Sequence, residues 1–558
     1  MRDMTSRRRA RTLPAVGGLL GALALAAPAW AELPDYTPQL QARTNLLGNP
    51  SGAFNVEPGN LLGGSLQVPL TGDRQLAFLL AITPEGRRAF WWGQEGRGQR
   101  IYVLPDLGED VRASDPGLNS RGDIAFTVTG ASRSADNGVY LLNAATPDTV
   151  RIIREPVGAS DWSSLWLNEA GQLGARVTFT GVGKAYALLT PQESGYVATL
   201  VAKERGVDAE SPYEFLYSPT LNDLGQIAGV GDTASPGTGF QELRIFNADG
   251  TSRLIARTRD LDEASPIYRF ASVQPALNNR EQVAFLATVR DASNRNFATM
   301  FLWTGTELKV VAQAGQGDIR DVEFFPPDLN DSGLVVFRAF TRDGLRAVWV
   351  GDGVELKRVA TEHDLLPSDQ GEARIDQETT TGPVFAGGPQ INARGDVTFV
   401  AGLAPPDDDQ VEWGTAIYVA QSSLPPPGET DGGTDGGSGE DAGVDAGPGE
   451  PDGGPGEDGG TDGGSGEDGG TDGGPGEEPD AGADAGSGGE QDSGTQQPDA
   501  GPVTDAGTGQ VPDAGPGSEP GEDSGCGCQS TQAAAFMPWL LLGLARLASV
   551  RRRGSRRD

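Results

Sequence analysis

The chain has one histidine, His363, flanked by Glu362 and Asp364, and two cysteines, Cys526 and Cys528, separated by a single glycine. An imidazole beside carboxylates could move protons near neutral pH or help hold a cation. A lone histidine between two acids on a loop, however, reads as a solvated side chain, and no nucleophile–histidine–acid set can be assembled around it. So few Cys and His argue against a Cys/His zinc site and exclude a disulfide scaffold. Carboxylates are plentiful, but no pair stands out by spacing as the acid and base of a glycosidase. No glycine-rich phosphate loop leads into a helix. Arg121-Gly122-Asp123 and Arg394-Gly395-Asp396 match an adhesion tripeptide, yet both occupy one slot of a repeat whose turn alone requires the glycine. Trp91, Trp92, Trp162, Trp166, Trp303, Trp349 and Trp413 could stack on sugars. Trp303 and Trp349 fall at matching strand positions, where core packing is the simpler role. No catalytic residue, metal ligand or cofactor is expected.

Charge narrows the partners. The chain carries 78 acidic and 43 basic residues, a net charge of −35. Residues 421–525 hold 26 of the acids and no Lys or Arg, and residues 32–420 remain negative by 18. Nucleic-acid binding needs clustered Lys and Arg against phosphates, so it is excluded as a function.

Any functional side chain must be positioned by a repeat. Leu118-Asn119-Ser120-Arg121-Gly122-Asp123-Ile124-Ala125-Phe126 is its clearest copy, and others centre on Asn168 and Gly171, Asn222 and Gly225, Asn278, Asn330 and Gly333, and Asn392 and Gly395. A worn copy places Thr71 at the marker position. Seven markers recur with a mean period of about 53 residues. The asparagine can bond its own downstream backbone, and the glycine three residues on can take a positive φ, so Asn-x-x-Gly builds a tight turn. Arg74 and Glu281 stand where the glycine is missing, which predicts a strained or different turn there. Apolar residues then alternate, as in Ile124, Phe126 and Val128, with strand periodicity. Second and third strands follow, such as Met300–Trp303 and Leu308–Val311, and a weaker one precedes the next marker. No helical period is sustained across 32–420. Three or four strands per unit, seven times over, predict an all-β, seven-bladed β-propeller. The last unit lacks a third strand, whereas a spare strand around Ser65-Leu66-Gln67-Val68 precedes the first. The N-terminal strand is therefore expected to complete the last blade and close the ring.

The two ends read as addresses. Arginines 7–9 and 11, an apolar run from Leu13 to Ala27 and the small residues of Ala29-Trp30-Ala31 form a secretory signal over residues 1–31, cleaved after Ala31. The spacer, 423–525, is almost entirely Gly, Asp, Glu, Pro, Ala, Ser and Thr. It has too little apolar surface to offset ordering entropy and is expected to stay disordered. A Gly-rich coil of that length has a root-mean-square span of roughly 55 Å before self-repulsion extends it. In the segment 526–558, Cys526-Gly527-Cys528 precedes an apolar stretch from Ala533 to Val550 and the cluster Arg551-Arg552-Arg553, a short hydrophobic transmembrane helix held by a cytoplasmic basic end.

That order of cysteine motif, hydrophobic helix and basic cluster resembles the MYXO-CTERM sorting tail of myxobacterial surface proteins. The resemblance implies cleavage near the cysteines and a lipoprotein-type modification at Cys526, with Cys528 as the second candidate, on the cell surface or outer membrane of a Gram-negative bacterium. The units over roughly 60–420 resemble the tandem N-x-x-G-x-x-A-F repeats of bacterial surface proteins that carry such tails. That family brings no assigned reaction.

The expected organisation is a signal peptide (1–31), a propeller (32–422), an acidic spacer (423–525) and a sorting and membrane segment (526–558). The expected function is that of a surface-anchored, monomeric, non-catalytic binding or adhesion module for a glycan or envelope protein, attached to the membrane through its tail. An extracellular carboxylate-dependent glycan hydrolase and a structural envelope protein are the alternatives.

Overall fold

The computed structural model describes residues 32–45, 52–62, 67–82, 86–376, 384–408 and 410–425. The expectations for Ala31, the spacer, Cys526, Cys528 and the hydrophobic tail fall outside these residues. The strand that follows each marker turn is buried along nearly its whole length, as in Asp123–Thr129, Ile227–Asp232 and Val335–Thr341. A strand so covered must have a neighbour on each of its two faces, which is the position of a central strand in a radial stack of sheets.

The described residues form seven antiparallel sheets, one per repeat, and the protein is a seven-bladed β-propeller. In the fourth blade the order runs from Phe215–Leu216 and Thr220–Leu221 to Ile227–Asp232, Gln241–Phe246 and Ser252–Arg257. The first strands of neighbouring blades lie side by side and line the central channel. The core is divided among the joints between blades. Val230, Leu243 and Ile245 of the fourth blade meet Phe285 and Phe301 of the fifth, and Phe90 of the first stacks on Phe126 of the second with centroids 3.7 Å apart.

The weak strand before each marker proves to be this innermost strand, and its weakness has a cause. Three residues before the marker stands Pro116, Pro219, Pro275, Pro327 or Pro389 in five blades; in the first four the strand is split in two, and in the last Phe385–Ile391 stays one strand whose pairing is interrupted between Ala386 and Gln390. Proline has no N–H to give to the ladder. The third blade has Leu165 at this position, and its inner strand is continuous from Asp161–Leu167.

The ring is closed by the strand Tyr36–Arg43. It pairs antiparallel with Gly414–Ser422, Tyr36 opposite Ser422 and Arg43 opposite Ala416. The N-terminal strand thus completes the last blade, but it is not the segment expected. Of that segment, Gln67 and Val68 are not in a strand. They run along the channel inside the first blade, where Leu70 bridges Leu76 and the carbonyl of Val68 accepts the Thr398 hydroxyl at 2.7 Å. At the closing joint, Ala42, Val56, Phe78 and Trp91 pack with Val400, Ile417 and Val419. A hairpin of the last blade, Leu365–Ser368 with Gly371–Ile375, carries Asp369 at its tip into a two-pronged ion pair with the fully buried Arg43, at 2.8 and 2.7 Å.

Candidate functional site

The predicted turn residues come together as one ring. Each marker asparagine is at most 5% exposed. Its Oδ1 accepts its own downstream backbone, as when Asn278 takes the N–H groups of Arg280 and Gln282 at 3.0 and 2.9 Å. Its Nδ2 donates to the backbone carbonyl of the marker in the next blade. The links run from Asn119 to Asn168, Asn222, Asn278, Asn330, Asn392 and Thr71, at 2.9 to 3.3 Å. Thr71 has no amide to continue the chain, and its neighbour Gln75 instead donates to the Ser120 carbonyl at 3.2 Å. A parallel set joins the residues after the markers. The N–H of Ser120 meets Glu169, that of Glu169 meets Asp223, that of Asp223 meets Asn279 and that of Asn279 meets Asp331.

Gly122, Gly171, Gly225, Gly333 and Gly395 hold φ between 74 and 85°. Arg74 and Glu281 adopt the same left-handed backbone, at 66 and 54°, so the turn is kept and the side chain tolerates it. Both find ionic partners. Arg74 clasps Asp396 with bonds of 2.8 and 3.1 Å, and Glu281 pairs with Arg253 at 2.5 Å.

The aspartates of both adhesion-like tripeptides are engaged by donors of the fold itself. Asp123 accepts from Asn119, Asn143 and its own Arg121. Burial would raise its pKa, but these donors hold it below the ordinary value. Asp396 is fully buried beneath Arg74. Trp91, Trp162 and Trp349 are core residues.

His363 lies on the rim after the sixth blade with its side chain half exposed, its Nε2 3.6 Å from Asp376 Oδ2. Glu362, His363 and Asp376 converge closely enough to resemble a cation site. Arg374 Nη2, however, stands 2.9 Å from that same Asp376 oxygen, so a guanidinium already supplies the positive charge. A surface hollow of about 420 Å³ lies between the fifth and sixth blades against Leu33 and Leu424.

A second hollow of about 170 Å³ opens on the channel itself, lined by Gln67, Asp115, Trp166, Asp328 and Gln390 among apolar neighbours. Gln274 of the fifth blade donates to Gln67 Oε1 of the first at 3.0 Å, a bond that crosses the ring. The backbone N–H of Gln67 donates to Asp115 at 3.3 Å, and Gln67 Nε2 is buried with no hydrogen-bond partner among the described residues. Asp328 accepts the N–H groups of Leu329 and Ile391 at 2.9 and 2.8 Å. It touches the channel yet sits deep in the ring, and desolvation pushes its pKa up from 3.8 to about 6.

None of these channel residues is apparent from residue type alone. The available signal is the alignment of the repeats. Two residues before the marker stand Pro69, Gly117, Trp166, Thr220, Ala276, Asp328 and Gln390. The acid, the amide and the indole depart from the small or apolar residues that otherwise dominate this position.

No curated protein matches the chain. Among solved structures, it is similar to the β-propeller domain of the Trilobed protease from Pyrococcus furiosus, with 12% identity, a TM-score of 0.43, and coverage of 65% of this chain and 95% of that one. The Pyrococcus horikoshii acylaminoacyl peptidase gives 12% identity and a TM-score of 0.40 over 64% of this chain, spanning about half (51%) of the peptidase. An Aleuria aurantia lectin mutant in complex with Fucα1-6GlcNAc gives 11% identity and a TM-score of 0.31 over 53% of this chain and 94% of the lectin. Residues 103–367, from the end of the first blade to the hairpin of the last, are similar to the family of unknown function DUF7453.

Proposed function

We propose that the protein is an exported propeller, tethered to the cell surface, that binds a glycan or envelope component and does not transform it. The observation that carries this reading is the state of the channel carboxylate Asp328. Asp328 accepts a backbone N–H on each of its two oxygens, so it braces the inner strands and neither oxygen is free. A general acid or nucleophile needs a free oxygen aimed at substrate. The presence of Asp115 and Asp328 in one hollow is also the observation that favours the second reading, a glycan hydrolase.

The tail and leader complete the proposal. Cleavage after Ala31 frees a chain beginning at Glu32, and processing near Cys526 leaves the propeller on a long acidic stalk held by lipid. Accurate mass of the mature protein tests the address, and a C-terminus still at Asp558 overturns the sorting step. A screen of the mature protein against glycans and envelope components tests the role. Saturable binding without product supports it, whereas release of reducing ends that disappears in Asp115→Asn or Asp328→Asn overturns it in favour of hydrolysis.

A further inference from the structure

We infer that the channel hollow beneath the asparagine ring is a binding site for a neutral, monosaccharide-sized polyol, recognised by the amide Nε2 of Gln67 and the face of Trp166. This rests on the binding role proposed above and assigns it a place and a ligand class.

The lining selects the class. Among the described residues no Lys or Arg faces the hollow and two carboxylates do, so an anion is disfavoured. Gln67 Nε2 is a buried donor with no partner among those residues and needs an acceptor from whatever fills the space. An ammonium has none to give. A hydroxyl can accept from Gln67 and also donate to Asp115 or to Gln390, whose own amide already donates to the Pro389 carbonyl at 3.2 Å. The opposite demand, for an apolar face, comes from Trp166 and Leu165. The Trp166 indole N–H is bound to the Pro219 carbonyl at 3.0 Å, which fixes the ring in place. Alternating hydroxyls and C–H faces on a six-membered ring meet both demands.

Size agrees. The hollow measures about 170 Å³, and a protein cavity of about 150 Å³ accepts a benzene ring. The Gln67–Gln274 bond spans the channel, so a polymer cannot thread past it unless that bond opens. The site thus suits a free sugar or the end of a chain.

The test is calorimetric titration of the full mature protein with a panel of neutral monosaccharides, together with choline and acetate as charged probes. The expected result is saturable binding of one or more sugars with a dissociation constant on the order of 1 mM. Gln67→Ala and the isosteric Gln67→Glu should each weaken it at least tenfold while leaving the melting temperature of the free protein within a few degrees. A crystal of the wild-type protein soaked in the best sugar should show it on Trp166. Ordered water alone in the soaked channel, binding of choline only, or unchanged affinity in both variants overturns the inference. Glycan binding that survives in Gln67→Glu would leave the module's binding role standing and move the site to the outer loops.

Discussion

Asn392 donates its side-chain amide to the backbone carbonyl of Thr71 at 2.9 Å, joining the last blade to the first across 321 residues of chain. The same bond, made five more times between neighbouring blades, turns a local turn motif into a long-range belt. Each asparagine is nearly or fully buried, so losing its amide strands partners that water cannot reach.

Asn278→Ala removes two acceptor bonds within its turn and the donations to the Gln282 side chain and to the Asn330 carbonyl. It should lower unfolding free energy by about 2 kcal/mol, read from denaturant midpoints. Thr71→Asn supplies the one missing amide and should raise stability by up to about 1 kcal/mol. A destabilised Thr71→Asn protein would show that the belt cannot be completed at this joint.

Deleting residues 32–45 leaves Gly414–Ser422 as a bare edge and opens the closing joint. Single cooperative melting should give way to a broad, low transition and self-association at higher concentration. A truncated protein that melts like the intact one would disprove closure by this strand.

Arg43 is fully buried and bidentate to Asp369, and its Nη1 also reaches the carbonyls of Gly52 and Trp413. Asp369→Ala takes away the carboxylate paired with that buried guanidinium and should cost about 3–5 kcal/mol. The double variant Arg43→Met/Asp369→Ala should recover part of the loss. If the single and double variants melt alike, the pair contributes by packing and not by charge.

The raised pKa of Asp328, about 6 against 3.8 when unfolded, means the native state holds that proton more tightly. Its contribution to stability is full below about pH 4 and is lost as pH rises through about 6, by at most about 3 kcal/mol. Wild type should therefore gain stability on acidification from pH 7 relative to Asp328→Asn, whose side chain does not titrate. Parallel curves for the two proteins would place the charge elsewhere.

Much of this architecture is written locally. The Asn-x-x-Gly turn, the alternation after it and the sevenfold recurrence need only near neighbours along the chain, because a turn and a pleated strand are set by residues within about ten positions. The split inner strands also follow from single residues such as Pro275. The partners of those elements do not. Tyr36–Arg43 takes the closing position in place of Gln67 and Val68 because the outer edge of the last blade has room for a full-length strand, whereas those two residues are held inside the first blade. Gln67, Asp115, Trp166 and Asp328 have unremarkable neighbours in sequence, and only the closing of the ring aims them at one small volume. Local sequence determined the blades and their number. Burial against distant neighbours, which depends on how the blades meet, decided which side chains face the channel.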